Sequence, residues 1–244
     1  MSENARSPFS WAIEVQGLTK SFGYHPALRG IDLQVGRGER LVIFGPNGAG
    51  KTTLVKILSM LVRPSSGNVW LDGVNIRDKP AQVRRKIGLV GHQTFLYDNL
   101  TVYENLKFYS QMYGIANLEQ RIQEVMSWMQ LVDRRHDRVG TLSHGLQQRA
   151  SLARAALHRP SIMLLDEPEA GLDPQASTVI NDVMGNAGGD GLTVVMVTHN
   201  LERGLELGDS IVILNKGKVA YRASRHDIDT TLFRQVYNQC TETG

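Results

Sequence analysis

The sequence contains few of the features of a disulfide-stapled or nucleic-acid-binding protein. Only one of its 244 residues is cysteine, Cys240, which excludes an intrachain disulfide framework and a cysteine-based metal cluster. The 27 Lys and Arg residues exceed the 24 Asp and Glu residues only slightly, for a net charge of +3. So small an excess does not support a dedicated nucleic-acid surface. We therefore expect a protein of a reducing compartment with no nucleic-acid partner.

Long apolar segments are also missing. The longest apolar runs, such as Ile162–Leu165 and Thr193–Val197, are far shorter than the roughly 20 residues of a membrane-spanning helix. The first ten residues include Glu3 and Arg6 and lack the apolar core of a secretory signal. We expect the chain to remain in the cytoplasm, so that any role at the cell membrane depends on a partner.

The composition, 41% hydrophobic and 21% charged, is that of a globular protein. The spacing of the apolar residues changes along the chain. Ala12–Val15 and Ile31–Val35 alternate as strands of a small antiparallel sheet. Asp72-Gly73 is typical of a hairpin turn. Four apolar runs have the pattern of buried strands in a parallel sheet, namely Leu41–Phe44, Ile162–Leu165, Thr193–Val197 and Ile211–Leu214.

The middle third has the 3.6-residue period of helices. Thr101 to Glu104 has the form of a capping box, Gly114 ends that helix, and Asn117 is a plausible N-cap of the next. We predict a single α/β domain over residues 1–244. Its parts are a catalytic core with a β subdomain (11–92 and 161–222), an inserted helical lobe (93–160) and a C-terminal amphipathic appendage (223–244).

The strongest motif is a glycine-rich loop between the run Leu41–Phe44 and a helical stretch. Such a loop turns its backbone amides inward, and the following helix N-terminus favours anions. Its spacing is that of the P-loop, which binds ATP phosphates. Lys51 would neutralise the β- and γ-phosphates and Thr52 would place its hydroxyl on Mg²⁺. The candidate nucleotide-binding residues are Gly45, Pro46, Asn47, Gly48, Ala49, Gly50, Lys51, Thr52 and Thr53.

Two adjacent carboxylates follow the apolar run Ile162–Leu165. The run would deliver Asp166 and Glu167 to the carboxyl edge of the sheet, where α/β proteins bind ligands. Asp166 is a candidate Mg²⁺ ligand. Neighbouring residues of an extended segment project oppositely, so Glu167 could orient and deprotonate an attacking water.

The segment Leu142–Arg149 is similar to the signature L-S-G-G-Q-Q-Q-R of ATP-binding cassette (ABC) ATPases, and the chain resembles that family over nearly its whole length. The resemblance implies that Ser143 and the amide of Gly145 contact the γ-phosphate of ATP held by a second copy. It thus implies a head-to-tail homodimer with ATP at the interface. The chain departs from the signature at His144, which replaces a glycine, and at Leu146, which replaces a glutamine.

The same resemblance assigns further residues. His199, in Thr198-His199, resembles the switch histidine that senses the γ-phosphate. Asp173 ends Ala170–Asp173, which resembles the D-loop at the dimer interface. Phe22 stands where the family stacks an aromatic ring on adenine, with Tyr24 as the alternative.

Gly91–Tyr97 corresponds to the family's Q-loop, whose glutamine touches the metal site. Ungapped alignment places His92 at the glutamine position. Either side chain offers a lone pair, and we name Gln93 as the metal ligand and His92 as the alternative. Phe95, Leu96 and Tyr97 are candidates for contact with an integral membrane permease, or else pack inside the lobe.

The resemblance implies an ATPase on the cytoplasmic face of the cell membrane that drives a separate permease. The strings Gly91-His92-Gln93 and Glu104–Tyr109 resemble the haem-exporter ATPase of cytochrome c maturation. Drug, lipid or polysaccharide exporter ATPases are the alternatives. Two other hypotheses are that the chain is a soluble ABC protein acting on ribosomes or DNA, or a small-molecule kinase with the same P-loop.

Overall fold

The computed structural model describes residues 11–169, 174–185 and 191–242. Its strands are β1 Trp11–Phe22, β2 His25–Gly36, β3 Arg40–Phe44, β4 Ser66–Leu71, β5 Val74–Asn75, β6 Ile87–Val90, β7 Ile162–Asp166, β8 Thr193–Val197, β9 Ser210–Asn215 and β10 Lys218–Ser224. Its α-helices are α1 Lys51–Leu58, α2 Pro80–Arg84, α3 Val102–Tyr113, α4 Leu118–Trp128, α5 His144–Ala156, α6 Pro174–Gly185, α7 Leu201–Leu207 and α8 Phe233–Glu242.

The N-terminal strands form the predicted antiparallel sheet, in the order β2-β1-β4-β5. Val15 of β1 pairs with Leu33 of β2 on one side and Val69 of β4 on the other. Register shifts interrupt the pairing of β1 with β2, for example between Val15 and Leu18. These bulges break the alternation of apolar residues. Both strands therefore run further than the sequence pattern predicts.

The second sheet has the order β10-β9-β3-β8-β7-β6, and every neighbouring pair except β10 with β9 is parallel. Each central strand alternates between two cores. Leu41 and Ile43 of β3 pack with α1 and the antiparallel sheet, whereas Val42 and Phe44 pack with the helical region. Since parallel strands end at one edge, the segments that follow β3, β7 and β8 meet there.

The helical region between β6 and β7 begins as predicted. The Thr101 side chain accepts a hydrogen bond from the Glu104 amide, and the Glu104 carboxylate accepts one from the Thr101 amide, so the capping box is confirmed. Asn117 occupies the N-cap position of α4, as predicted. Its backbone is left-handed (φ 53°) instead of extended, however, and its side chain makes no capping hydrogen bond.

The C-terminal helix α8 packs against the main sheet. Phe233 is buried, with its ring centroid 5.6 Å from that of Phe44 and 6.4 Å from that of Tyr221. Phe44 is the last residue before the glycine-rich loop. The beginning of α8 thus supports the strand from which that loop departs.

Candidate active site

The glycine-rich loop folds around the Lys51 ammonium. Lys51 Nζ donates hydrogen bonds to the carbonyls of Gly45 at 2.6 Å and Pro46 at 3.0 Å. Gly48 and Gly50 have left-handed φ values of 80° and 102°. At Gly50 a side chain is also excluded by space, because a Cβ would lie 2.7 Å from the Ala27 carbonyl oxygen. Backbone conformation therefore favours glycine at both positions, and close approach adds a second requirement at Gly50.

Two other segments form the walls of this loop. A Cβ on Gly45 would lie 2.2 Å from the carbonyl oxygen of Leu214, at the end of β9. The Gly217 amide, in the turn between β9 and β10, donates to the Ala49 carbonyl at 3.0 Å. These residues have no signature in the sequence, because the contacts join segments far apart in the chain and follow no local pattern.

Asp166 and Thr52 meet beside the loop. The Thr52 hydroxyl donates to Asp166 Oδ1 at 3.3 Å. Burial raises the pKa of the Asp166 carboxyl, which a nearby cation would offset. A threonine hydroxyl and a carboxylate are the hard oxygen ligands that Mg²⁺ uses beside nucleotide phosphates. The chemistry of this pair therefore fits Mg²⁺.

Glu167 lies between two imidazoles. Its Oε2 is 3.9 Å from His92 Nε2 and 3.8 Å from His199 Nδ1. The predicted orientation of Glu167 is wrong in detail. Glu167 does not continue the alternation of an extended strand, because its backbone is left-handed (φ 51°) and its amide donates to the Val197 carbonyl at 2.9 Å. The turn aims the carboxylate at the cleft.

The segment carrying His199 is fixed on both sides. The Thr198 amide donates to the Ile43 carbonyl at 3.3 Å, and the Thr198 hydroxyl accepts from the Asn200 amide at 3.0 Å. Asn200 in turn caps α7 through the Arg203 amide. His199 itself is exposed and free to meet a ligand.

Residues of the glycine-rich loop line one open cleft of about 430 Å³ together with His92 and Glu167. Burial lowers the pKa of Lys51, and the nearby Glu167 and Asp166 carboxylates oppose that shift. His92 lines the cleft, whereas Gln93 does not line it among the described residues. The placement thus favours the alternative, His92, and the metal-ligand role of Gln93 stays a prediction. The lining residues are Phe22, Ala27, Asn47, Gly48, Ala49, Gly50, Lys51, Thr52, Thr53, His92 and Glu167.

Phe22 stands at the rim of the cleft with about half of its surface exposed, and Lys20 Nζ lies 4.8 Å from its ring centroid. An exposed ring beside a phosphate cradle can stack on a base. Tyr24 is fully exposed and is not among the lining residues. The placement favours Phe22 over Tyr24.

Ser143 and Gly145 lie at the N-terminus of α5, and neither lines the cleft described above. The Ser143 hydroxyl caps the helix by accepting from the Leu146 amide at 3.4 Å. Leu146 packs against the core of the helical region, and His144 is exposed. Both departures from the signature therefore leave the helix start intact. Asp173 lies outside the described residues.

A phosphate cradle, a buried carboxylate suited to a cation and a second carboxylate between two imidazoles are the parts needed to cleave a nucleoside triphosphate with water. This geometry supports the hydrolysis of ATP.

Comparison with known proteins agrees with this geometry. The sequence model of the ABC transporter family matches residues 28–170. The linearmycin resistance ATP-binding protein LnrL of Bacillus subtilis is 32% identical over 234 residues, which is 95% of this chain and 75% of that protein. The glutamine transport ATP-binding protein GlnQ of Escherichia coli is 34% identical, covering 85% of this chain and 89% of that protein.

Solved structures share the fold. The ATP-binding subunit of an ABC transporter superposes with a TM-score of 0.86 at 27% identity, covering 94% of this chain and 99% of that one. An ATP-binding cassette in a dimeric post-hydrolysis state bound to ADP and Pi gives a TM-score of 0.81 at 30% identity, covering 88% of this chain and 100% of that one. The chain therefore belongs to the ABC transporter family, as an ATP-binding subunit that hydrolyses ATP.

Proposed function

We propose that two copies of the chain close head to tail around two ATP molecules and that this cycle drives export through a separate permease of the cell membrane. The observation that carries the proposal is the division of the site. The cleft holds the P-loop and Glu167, but Ser143 and Gly145 do not line it. A second copy would supply them, with their helix N-terminus facing the γ-phosphate. Dimeric cassettes among the similar structures support this arrangement.

Within each site the residues have distinct tasks. The P-loop amides and Lys51 bind the phosphates, Phe22 stacks on adenine, and Glu167 accepts the proton of the attacking water. His199 and His92 hold the Glu167 carboxylate from two sides. Asp173 of the D-loop would cross the interface.

Thr52 and Asp166 would hold Mg²⁺, with His92 or Gln93 completing its shell. Mg²⁺ would neutralise charge on the β- and γ-phosphates. Asp166 is kept beside Thr52 by the hydrogen bond between them. That contact orients the carboxylate toward the P-loop.

A group of exposed apolar side chains offers a contact for the permease. We call Phe95, Tyr97, Phe108 and Met112 the aromatic patch; they are 36%, 50%, 37% and 65% exposed. The Tyr97 and Phe108 rings meet edge to face with centroids 5.3 Å apart. Leu96 instead packs against the core. Among the helices of the described residues, none combines the length and the hydropathy of a membrane-spanning segment.

The direction of transport and its substrate are the finer part of the proposal. Similar proteins include a daunorubicin resistance protein and a Nod factor export protein, but also a sulfate/thiosulfate import protein. The Gly91-His92-Gln93 and Glu104–Tyr109 strings support a haem-related exporter for cytochrome c maturation. Export of a drug, lipid or polysaccharide is the alternative.

Glu167→Gln tests whether two copies close around ATP. We expect the variant to bind ATP, to lose turnover and to accumulate as a dimer in size-exclusion chromatography with light scattering, because the closed state is no longer hydrolysed. Glu169→Gln is the matched control, since Glu169 pairs with Arg203 at 3.1 Å and does not line the cleft. Glu169→Gln should hydrolyse ATP and should not accumulate as a dimer. An ATP-bound Glu167→Gln monomer would contradict the proposal.

Deletion of the gene tests the substrate. We expect cells that lack the chain to lose haem-stained c-type cytochromes, and a plasmid carrying the wild-type chain, but not Glu167→Gln, to restore them. Unchanged cytochromes with greater drug sensitivity would favour the alternative exporter. If the wild-type chain sedimented with ribosomes instead of membranes, a soluble ABC protein acting on ribosomes would be favoured.

A further inference from the structure

One face of α5 carries three polar side chains that each contact a different segment beside the cleft. Gln148, Ser151 and Arg154 are spaced three residues apart, so they share a face of the helix. We call them the polar row. Gln148 Nε2 donates to the Pro168 carbonyl at 3.3 Å and Ser151 Oγ to the Thr94 carbonyl at 3.2 Å. Arg154 Nη2 donates to the Leu89 carbonyl at 2.6 Å.

Arg154 is the unusual member of the row. It is 8% exposed, and it forms no ion pair with any residue that the structure describes. Its guanidinium carbon lies 5.4 Å from the Phe95 ring centroid and 5.7 Å from that of Tyr109, and its Nε has no hydrogen-bond partner. Burying an unpaired cation is costly. Packing stability alone therefore does not account for arginine at this position.

The contacts of the row lead to the hydrolytic groups. Pro168 directly follows Glu167, and Thr94 lies two residues after His92. His92 and Glu167 face each other at 3.9 Å. Phe95 belongs to the aromatic patch, and its left-handed backbone (φ 55°) is held by a hydrogen bond from the Tyr109 hydroxyl to its carbonyl. A rigid helix thus touches both loops that carry the cleft side chains.

The other end of the same helix is Ser143. We propose that Gln148, Ser151 and Arg154 are positioning residues that lock α5 to the His92 and Glu167 loops. The groups that hydrolyse the chain's own ATP and the helix end that contacts the partner's ATP then move as one unit. The row would also pass a displacement of the aromatic patch to both sites. Only the step to the partner's ATP rests on the proposed head-to-tail dimer.

Arg121 supplies the control for Arg154. It lies on α4, outside the signature segment, and its side chain is 16% exposed. Its hydrogen bonds to the Leu157 carbonyl at 2.8 Å, the Ala156 carbonyl at 2.6 Å and the Glu124 carboxylate at 2.9 Å stay within the helical region. Arg154→Met and Arg121→Met therefore each remove a largely buried arginine, and only the first breaks contact with the cleft loops.

The experiment compares steady-state ATP hydrolysis and thermal unfolding of the two full-length variants. For Arg154→Met we expect kcat per folded protein to fall at least about five-fold and the Hill coefficient for ATP to fall toward one. Binding of a fluorescent ATP analogue by the monomer should not change. For Arg121→Met we expect a lower unfolding midpoint, because its ion pair and carbonyl bonds are lost, with kcat and Hill coefficient retained. Equal kinetics for both variants would overturn the proposal.

Ser151→Ala keeps the test decisive if Arg154→Met does not fold. It removes two contacts within the row, the bond that Ser151 Oγ donates to the Thr94 carbonyl and the bond that it accepts from Arg154 Nη2 at 3.4 Å. The small change should leave the fold intact and lower kcat in the same direction. Unchanged kcat and Hill coefficient would overturn the proposal. The proposed function fails separately. It fails if Glu167→Gln does not dimerise, whereas a trapped dimer with normal Ser151→Ala kinetics contradicts the polar row alone.

Discussion

His158 shows how one buried side chain sets a condition for folding. Its Nε2 bonds to the Ile87 carbonyl at 2.9 Å, and its ring stacks on Tyr113 with centroids 4.0 Å apart. A carbonyl accepts only, so Nε2 carries the proton, and the buried Nδ1 has no partner. Burial lowers the pKa of His158 from 6.5 to about 4. The fold therefore holds the neutral imidazole.

This pKa predicts acid destabilisation between pH 6.5 and 4. The unfolded chain binds a proton at His158 in that window and the folded chain does not, so stability falls as pH falls. From pH 7.5 to pH 5 the loss at this one site is about 2 kcal/mol. His158→Phe keeps the stacked ring and should reduce the pH dependence of the free energy of urea unfolding by that amount.

His136→Phe is the control for this measurement, because His136 is exposed. It should leave the difference between pH 7.5 and pH 5 as in the wild type. An unchanged pH dependence in His158→Phe would mean that His158 is not held neutral in the folded chain.

At the scale of elements, the sequence predicted what local pattern determines. Continuous apolar runs gave β7 and β8 nearly to the residue, because strands buried on both faces of a parallel sheet leave no polar position. The capping box at Thr101 and the cap at Ser143 follow from contacts within one turn. The P-loop and the Asp166-Glu167 pair are likewise local motifs.

Elements fixed by distant contacts escaped prediction. Strand β6 is only four residues long and contains Gly88, which reads as a turn in sequence. In the structure a Cβ on Gly88 would lie 2.7 Å from the Ala155 carbonyl oxygen of α5. The glycine therefore permits close packing of the helix on the strand. Strand β10 is an exposed edge strand with only a weak apolar face.

The same distinction holds for the site. Sequence order identified Glu167 and His199, but not the left-handed turn at Glu167 or the approach of His92 to its carboxylate. Both depend on where β6, β7 and β8 end in space. The polar row was also invisible, because its three partners come from separate segments.

At the scale of the whole molecule, the account depends on two copies completing each other's sites. Most of the cleft residues follow β3, β6 and β7, whereas Ser143 directly precedes α5 and does not line that cleft. The ATPase activity should therefore depend on pairing. A direct test combines one variant on the P-loop side of the site with one variant on the Ser143 side. In a mixed dimer the two defects lie in the same site, and the other site is intact.

Ser143→Asp and Lys51→Ala are suitable partners for this test. Aspartate is a good N-cap, so the start of α5 should be retained while its carboxylate repels the γ-phosphate. Ser143→Asn, a neutral residue that also caps helices, is the control for the charge and should keep more activity. Each of the two test variants alone should be nearly inactive.

The decisive measurement is ATP hydrolysis by an equimolar mixture of Lys51→Ala and Ser143→Asp chains. Half of randomly paired dimers are mixed, and each mixed dimer has one intact site out of two, so the account predicts recovery up to about a quarter of wild-type turnover. A mixture that stays as inactive as its components, or a Ser143→Asp chain that is fully active alone, would contradict the account.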